Sequence, residues 1–192
     1  MEGRQSESHA LSRQQDCYNA IIAFLDRNHV DYKTVCHEET YTSEESARVR
    51  GVPLSTGGKA LLLKIGDGED SCFSLFVMSA SRKLNSKAIK KEFKSKAKAF
   101  KNIRFATSGE LAQITNGLVP GCVPPFGKPV LKYNNKNEDA YYYFELYVDT
   151  SIAEENETIA FNAGSLTNSV IMSVEDYIRV SSPTGIFTFS KK

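Results

Sequence analysis

The sequence predicts an α+β protein in which short helices flank a mixed β-sheet. Two nearly continuous apolar runs, residues 59–66 and 72–79, indicate neighbouring strands that are buried on both faces. Short segments with helical periodicity separate the strands without regular βαβ alternation, which favours a mixed sheet over a parallel one. Hydrophobic residues make up 41% of the 192-residue chain, a share that supports the packed core of such a fold.

The N-terminal part predicts a tail followed by a helix. Residues 1–12 are polar and lack apolar periodicity, so we expect a flexible tail there and a single domain over residues 13–192. Ser12 is the predicted N-cap of a helix that ends near Asn28, because apolar side chains recur between them at three- and four-residue spacing.

The next segments predict three strands and a short helix. Residues 31–38 alternate as a strand does, and Thr42 is the predicted N-cap of a helix that Gly51 ends. A turn at residues 66–68 then joins the two apolar strands into a hairpin.

The middle of the chain predicts two further helices around a strand. Asn85 or Ser86 can cap a helix that turns Ile89 inward. Residues 103–105 form a short predicted strand, and Ser108 is the predicted cap of the helix that follows.

The C-terminal third begins with a loop that has an unusual composition. Residues 117–129 contain three glycines and four prolines, a density that predicts a rigid loop. The polar residues 134–139 form a predicted exposed insertion. We expect a strand, a strand pair around a Gly-Ser turn and a closing helix, at residues 141–149, 158–164 with 169–173, and 174–180.

The cysteines and histidines are scattered and form no pair at metal-ligand spacing, so we expect no metal site and no cofactor. Apolar neighbours predict that Cys17 and Cys72 are core thiols. No apolar run approaches the roughly 18 residues of a membrane span, and the N-terminus carries no secretory signal. These observations predict a soluble cytoplasmic protein without a membrane partner.

The basic residues are concentrated in one segment. Ten lysines and arginines lie between Arg82 and Arg104 against the single acid Glu92, a net charge of +9, whereas the rest of the chain carries −8. Such asymmetry favours a polyanion-binding surface, and lysine suits contacts with phosphate. The alternative is an ordinary solvated helix face. On charge alone, the candidate polyanion-binding residues are Lys87, Lys90, Lys91, Lys94 and Lys98.

No known catalytic spacing occurs in the chain, but two features are candidates for chemistry. Lys59 is a charged residue that directly follows Gly57 and Gly58 at the start of an apolar strand, which makes it a candidate for a chemical role. The alternative is that Lys59 is an ordinary lysine at the edge of the strand. The loop over residues 121–127 offers backbone groups that could hold a carbonyl or an oxyanion, where the alternative is a tight structural corner.

Four motifs occur together in one order along the chain. They are TSEESARVRGV, GGKALLLK, GLVPGCVPPFG and IAFNAGS, at residues 42–52, 57–64, 117–127 and 159–165. On these motifs the chain resembles the YbaK and prolyl-tRNA-synthetase-associated editing domains, a family of trans-editing aminoacyl-tRNA deacylases, over about residues 15–180. This resemblance implies a partly barrel-like mixed sheet with a small pocket for the aminoacyl group. Together with their charge, it also makes the lysines Lys87, Lys90, Lys91, Lys94 and Lys98 candidate tRNA-binding residues.

The resemblance also assigns roles to residues of this chain. The family's essential lysine falls on Lys59, and its GxxxP loop falls on Gly121 and Pro125. Cys122, inside that loop, is not expected to act as a nucleophile. The remaining expected substrate contacts are Tyr41, Thr42, Val123, Pro124, Phe126, Asn162, Ala163 and Gly164.

The implied partner is mischarged aminoacyl-tRNA, together with prolyl-tRNA synthetase or a synthetase complex. The implied reaction is hydrolysis of the aminoacyl ester of a tRNA such as tRNA-Pro carrying serine or threonine, alanine or cysteine. Lys59 would hold the terminal phosphate or the substrate carbonyl, and the groups around Gly121 would hold the α-amino group or the oxyanion. Two alternatives are an inactive tRNA-binding scaffold and a small-metabolite binder. The sequence leaves the oligomeric state open.

Overall fold

The computed structural model describes residues 2–66, 71–95, 102–128, 130–134 and 141–192. Lys98, most of the predicted turn at 66–68 and most of the insertion at 134–139 lie outside these residues. In chain order, the elements are α1 (Glu2–Arg27), β1 (Tyr32–Cys36), α2 (Ser43–Arg50), a 3₁₀ turn (Leu54–Thr56), β2 (Gly58–Ile65), β3 (Cys72–Ser79), β4 (Lys83–Leu84), α3 (Ser86–Ser95), β5 (Ile103–Phe105), α4 (Ser108–Thr115), β6 (Lys132–Asn134), β7 (Tyr141–Tyr143), β8 (Glu145–Val148), α5 (Thr150–Ala153), β9 (Thr158–Asn162), β10 (Asn168–Ser173), α6 (Val174–Ser181), β11 (Gly185–Ile186) and β12 (Ser190–Lys191).

The central sheet has the strand order β11-β8-β3-β2-β5 among the described residues. The two apolar strands, β2 and β3, pair antiparallel from Gly58 opposite Ser79 to Ile65 opposite Cys72. β3 also pairs parallel with β8, so the sheet is mixed, which confirms the predicted fold class.

Strand β3 separates two hydrophobic clusters. Leu75 and Val77 belong to the cluster that packs against α1 and α6, whereas Phe76 and Met78 belong to the cluster that includes Ile89 of α3. Because alternate side chains enter different clusters, the strand has to be apolar at consecutive positions. The prediction that β3 is buried on both faces is therefore confirmed.

A second sheet has the order β1-β10-β9, with antiparallel pairing throughout. A parallel bridge between Gly57 and Ala160 joins it to the start of β2. A Cβ atom at Gly58 would lie 2.7 Å from Cδ1 and 3.0 Å from Cγ1 of the buried Ile159, so a larger residue there would force that side chain to shift. In the part of the chain that the structure describes, the two sheets meet at this bridge without closing into a barrel.

Helix α1 begins at Glu2, so the expectation of a loose tail over residues 1–12 is wrong for the described part of that segment. The segment lacks apolar periodicity, but it consists largely of good helix formers such as Glu, Arg, Gln, Ala and Leu. The intrinsic helix propensity of these residues extends α1 towards the N-terminus, past the predicted cap at Ser12. Its second half packs into the core through Ile21 and Leu25, which are fully buried.

Three other local predictions also need correction. Residues 141–149 form two strands, because β7 pairs with β6 whereas β8 pairs with β3, and the buried Phe144 lies between them. The cap of α4 is Thr107, one residue before the predicted Ser108, and its side chain accepts a hydrogen bond from the Glu110 N–H. Cys72 is exposed at the start of β3, whereas Cys17 is buried as expected.

A fully buried carboxylate anchors the C-terminal segment. Asp149 Oδ1 accepts hydrogen bonds from Ser151 N–H at 2.9 Å and from Ser190 Oγ at 2.7 Å. Asp149 Oδ2 accepts one from Phe189 N–H at 2.5 Å. The side chain thus caps α5 and holds the last strand against the second cluster, where Phe189 is fully buried.

We expect Asp149→Ala to lower the free energy of unfolding by about 3 kcal/mol, because it removes an N-cap and leaves buried N–H donors without acceptors. Urea denaturation measures this change. Asp31→Ala, at an exposed position, is the matched control and should cost less than about 0.5 kcal/mol. A loss below about 1 kcal/mol for Asp149→Ala would contradict the anchoring role.

The Arg104–Glu110 pair links β5 to the start of α4. Arg104 Nη1 and Nη2 each lie 2.7 Å from a Glu110 carboxylate oxygen, and Glu110 also completes the capping box of Thr107. The Arg104 guanidinium and the Thr107 backbone N–H hold the pKa of Glu110 at about 2, below its ordinary value.

Because the pKa of Glu110 is lowered in the folded state, its stabilising contribution is present above the unfolded pKa of about 4.3. We expect this contribution to be lost as the pH falls towards 2. Wild type and Glu110→Gln, which retains a capping-box side chain, should differ by less than about 1 kcal/mol at pH 7, because the pair is partly exposed. Urea midpoints between pH 7 and 2.5 test this, and a difference that grows on acidification would be the opposite of the expected result.

Candidate active site

The short helix α2 brings three side chains to one cavity. Thr42 caps it in a full capping box with Glu45, as predicted, and Gly51 ends it in the left-handed conformation. Positions separated by three and four residues share one helix face. Ser43, Ser46 and Arg50 lie on that face and line the cavity.

The cavity has a volume of about 240 Å³ and lies where α2, the start of β2 and the loop after α4 meet. Its size suits a small group such as an aminoacyl moiety better than a whole nucleotide. It is lined by Thr40, Tyr41, Thr42, Ser43, Ser46, Arg50, Gly57, Gly58, Lys59, Ala60, Leu61, Ala80, Gly121, Val123 and Asn162.

Lys59 is the second residue of β2 and pairs with Met78 across the sheet. Its Nζ lies 3.5 Å from the carbonyl oxygen of Ala80, at the limit of a hydrogen bond. Among the described residues Lys59 has no carboxylate partner. Its ammonium group therefore retains donors for a ligand in the cavity.

Gly121 forms another part of the wall. Gly121 has φ +90°, a conformation that favours glycine, and a Cβ there would also lie 3.0 Å from Leu166 Cδ2. Its carbonyl oxygen accepts a hydrogen bond from Asn162 Nδ2 at 2.8 Å. A hydrogen bond thus joins the predicted loop to the predicted strand pair.

Arg50, which sequence analysis missed, holds Asn162 from the other side. Its guanidinium donates to Asn162 Oδ1 at 2.6 Å, to Ser169 Oγ at 2.8 Å and to the Ala160 carbonyl at 3.3 Å. A sequence signal was present in the spacing of Ser46 and Arg50, which places both on one helix face. A basic residue in a last helical turn is ordinary, however, and did not suggest a site.

The two cations make the cavity electropositive. Burial lowers the pKa of Arg50 to about 10, so its guanidinium stays charged at neutral pH. All three acceptors that it contacts are neutral, and within the described ranges no carboxylate pairs with Arg50 or Lys59. A cavity with two uncompensated cations is suited to an anionic or carbonyl-bearing ligand.

Hydroxyl groups line the wall formed by α2. Thr40 and Ser46 are buried, their hydroxyl oxygens lie 2.8 Å apart, and Ser46 Oγ donates to the Thr42 carbonyl at 2.9 Å. Tyr41 lies at the mouth of the cavity with 75% of its surface exposed. The structure thus brings Tyr41 and Thr42 to the cavity, together with Val123 and Asn162.

Five of the expected substrate-contact or catalytic residues do not line the cavity, and all of them are buried. Phe126 packs edge-on against Phe24, Phe161 and Tyr177, which places it in the core. The other four are Pro124, Pro125, Ala163 and Gly164.

Two of these residues shape the chain behind the cavity wall. The Pro125 carbonyl accepts a hydrogen bond from the buried Tyr177 hydroxyl at 2.9 Å. Gly164 has φ +76°, and a Cβ there would lie 2.6 Å from Cys17 Sγ. Both residues fix the backbone without reaching the space a ligand would occupy.

Cys122 is fully buried and does not line the cavity. Burial raises the pKa of its thiol to about 12, so the thiol stays protonated at neutral pH. Because the thiolate is the nucleophilic form, this environment does not suit covalent catalysis. In the described residues no three His, Cys, Asp or Glu side chains cluster as metal ligands.

The basic segment is partly neutralised by acids elsewhere in the fold. Arg82 pairs with Glu155, and Arg104 pairs with Glu110. On α3, Lys87, Lys91 and Lys94 recur at the spacing of one helix face and are exposed. These three have no acidic partner among the described residues, and Lys90, between them, is half-buried.

Among the helices that the structure describes, none has the length and apolar character to span a bilayer.

The fold and the cavity together define a class of α+β domain with a small, cation-lined pocket. The chain belongs to the aminoacyl-tRNA editing domain family, whose model matches residues 37–180. This membership confirms the resemblance that the four sequence motifs indicated.

Two curated relatives share most of their length with this chain. The multifunctional Ser/Thr-tRNA deacylase ProXp-y of Escherichia coli K12 is 29% identical over 169 residues, which cover 86% of this chain and 89% of that protein. The protein of the same name from Escherichia coli O157:H7 matches to the same extent.

Solved structures share the fold. A hypothetical protein superposes with a TM-score of 0.69 at 18% identity, covering 90% of this chain and 99% of that one. A candidate trans-editing enzyme for prolyl tRNA synthetase superposes with a TM-score of 0.66 at 17% identity, covering 92% and 97%. At these identities the likeness supports the architecture and leaves the chemistry to the site itself.

Proposed function

We propose that this chain is a trans-editing aminoacyl-tRNA deacylase, which hydrolyses the ester between a wrongly attached amino acid and its tRNA. One observation carries the proposal beyond family membership. Lys59 and Gly121, which are 62 positions apart along the chain, line the same small cavity. An aminoacyl ester is activated, so a site that positions it and stabilises charge suffices without a covalent nucleophile.

In the proposed mechanism, water attacks the ester carbonyl and the ribose 2′-hydroxyl of the tRNA orients it. The carbonyl oxygen gains negative charge, which the Lys59 ammonium stabilises directly or by holding the terminal phosphate. The ribose 3′-oxygen then leaves with a proton, and the products are a free amino acid and uncharged tRNA.

The Gly121 carbonyl is suited to the α-amino group of the substrate. A carbonyl oxygen accepts two hydrogen bonds, and Asn162 supplies one of them. The second lone pair can accept from the α-ammonium group of an aminoacyl ester, whereas an acceptor oxygen cannot stabilise an oxyanion. Of the two sequence-based alternatives for this loop, holding the α-amino group therefore has the stronger support.

The hydroxyl-lined wall favours serine or threonine as the amino acid removed. The Ser46 hydroxyl donates to the Thr42 carbonyl and accepts from Thr40, so Thr40 and Ser46 offer acceptor lone pairs to a substrate hydroxyl. A site that bonds a hydroxyl rejects analogues without one strongly. The ProXp-y relatives are named as Ser/Thr-tRNA deacylases, which supports the same choice. Alanine and cysteine remain the competing substrates in the test.

The tRNA would lie along α3. Its exposed lysines present a row of positive charge that suits phosphate contacts, and Ser86, its first residue, follows Ala80 of the cavity wall by six positions. A tRNA such as tRNA-Pro is the proposed carrier, and prolyl-tRNA synthetase or a synthetase complex is the proposed protein partner. The cytoplasm, where tRNA is charged and used, is the proposed compartment.

We expect wild-type protein to deacylate tRNA charged with serine or threonine faster than tRNA charged with alanine or cysteine. Lys59→Ala should lower kcat/KM by about 10² to 10³, because it removes the charge that stabilises the transition state. Hydrolysis of each radiolabelled aminoacyl-tRNA measures both. Lys64→Ala, on the same strand but beside Glu110, is the matched control and should change kcat/KM less than about threefold.

Two results would contradict the enzymatic proposal. Hydrolysis no faster than the spontaneous rate on all four substrates, with tRNA binding intact, would favour the scaffold alternative. Equal loss of activity in the Lys59 and Lys64 variants would show that Lys59 has no special role.

The lysines of α3 make a separate prediction about binding. The triple variant Lys87→Ala, Lys91→Ala, Lys94→Ala should raise the Kd for tRNA and reduce the slope of log Kd against log salt by about 2, because fewer counterions are released. We expect kcat to stay within about twofold. Lys33, Lys128 and Lys192, also exposed, form the matched triple control, and an equal loss there would indicate only an effect of net charge.

A further inference from the structure

We propose that Arg50 is a positioning residue that acts through Asn162 to fix the Gly121 carbonyl in the cavity wall. The inference rests on the proposed function and extends it to a residue that does not need to touch the substrate. The chain of contacts runs from α2 through the end of β9 to the loop after α4.

The first link is the guanidinium of Arg50. It donates to three acceptors on two neighbouring strands: the carbonyl of Ala160 and the amide oxygen of Asn162 on β9, and the hydroxyl of Ser169 on β10. The planar fork of arginine is suited to several donors in fixed directions. One side chain thus fastens α2 to the strand pair beside the cavity.

The second link is the orientation of the Asn162 amide. Its oxygen accepts from Arg50 at 2.6 Å and from Ser169 Oγ at 3.2 Å, so a rotation by 180° would bring its NH₂ group against a cation. The Arg50 charge therefore selects one of two amide orientations. In that orientation Nδ2 points at the Gly121 carbonyl, 2.8 Å away.

The third link is the loop. Gly121 sits in the left-handed region, and Leu166 packs close behind its Cα. The Asn162 hydrogen bond joins this glycine to the strand pair. Loss of the bond frees the one carbonyl that the proposed mechanism assigns to the substrate α-amino group. A displacement of about 1 Å at such a group can lower a rate by about 100-fold.

The charge of Arg50 itself supports a functional role. Arg50 is partly buried, and removing a cation from water without a carboxylate partner has a cost, whereas a neutral residue could pack α2 against the strands at lower cost. Outer support for the tether comes from His37, whose Nε2 lies 2.8 Å from Ser169 Oγ while Nδ1 faces the Glu38 carbonyl at 2.7 Å. The arrangement holds the amide from several sides.

The test is a double-mutant cycle on deacylation of the tRNA that the wild type hydrolyses best. Arg50→Gln and Asn162→Ala should each lower kcat by about 10- to 100-fold, with KM within about threefold. The double variant should be no slower than the slower single variant, because both changes break one tether. Arg50→Lys, which keeps the charge but loses the fork, should recover part of kcat. Arg48→Gln, exposed on the same helix, is the matched control and should keep wild-type rates.

Multiplicative effects in the double variant, or a rise in KM with kcat unchanged, would overturn the proposal. The second result would indicate that Arg50 simply binds an anionic part of the substrate. Thermal unfolding of every variant separates loss of folding from loss of positioning. If Arg50→Gln does not fold, the kinetic test is made with the milder Arg50→Lys and Asn162→Ala variants.

Backbone NMR makes the tether testable without activity. Arg50→Gln and Asn162→Ala should both shift the amide resonances of Gly121 and Cys122 and increase their fast motion, whereas Arg48→Gln should not. If the wild type hydrolyses no aminoacyl-tRNA, the proposed function fails, and these spectra still decide whether the tether exists. Unchanged spectra at Gly121 in both variants would overturn the inference even in an active enzyme.

Discussion

The close approach of the Gly57–Gly58 segment to β9 is the constraint on which the site depends. The two backbones bridge at Ala160, and a Cβ at Gly58 would displace the side chain of the fully buried Ile159. Because two sheets meet there, Lys59 on one and Asn162 on the other line a common cavity. The glycines therefore serve the chemistry indirectly, by letting the lysine and the amide come together.

A second property of the site is that its two cations lack carboxylate partners among the described residues. Elsewhere in the fold arginines pair with acids, as Arg82 does with Glu155 and Arg104 does with Glu110. At the cavity, Arg50 and Lys59 contact neutral oxygens, and neither pairs with a carboxylate in the part of the chain that the structure describes. The cavity thus holds two cations without acidic partners among those residues, an environment suited to an anionic or carbonyl-bearing ligand. Such a preorganised field suits hydrolysis of an activated ester without a nucleophilic side chain.

Much of the architecture was predictable because its causes are local. The caps of α2, the existence of strand β1 and the double-sided burial of β3 follow from short patterns and agree with the structure. The burial along β1 does not alternate, however, because Lys33 and Thr34 are both exposed. The predictions failed where a contact with a distant part of the chain determines the local structure. Residues 141–149 form two strands because β7 pairs with β6 and β8 pairs with β3. Cys72 is exposed, despite its apolar neighbours, because it lies at the end of a strand.

The fold class and the family were predictable from the sequence alone, because they depend on motifs and periodicity. The same motifs singled out Lys59 and Gly121, which both line the cavity. Which loop residues face that cavity depends on the folded chain, since Val123 and Phe126 are both apolar and differ only in what surrounds them. Only the tertiary structure revealed Arg50. Its contacts lie 110 to 119 residues away, and local sequence patterns carry no information about such distances.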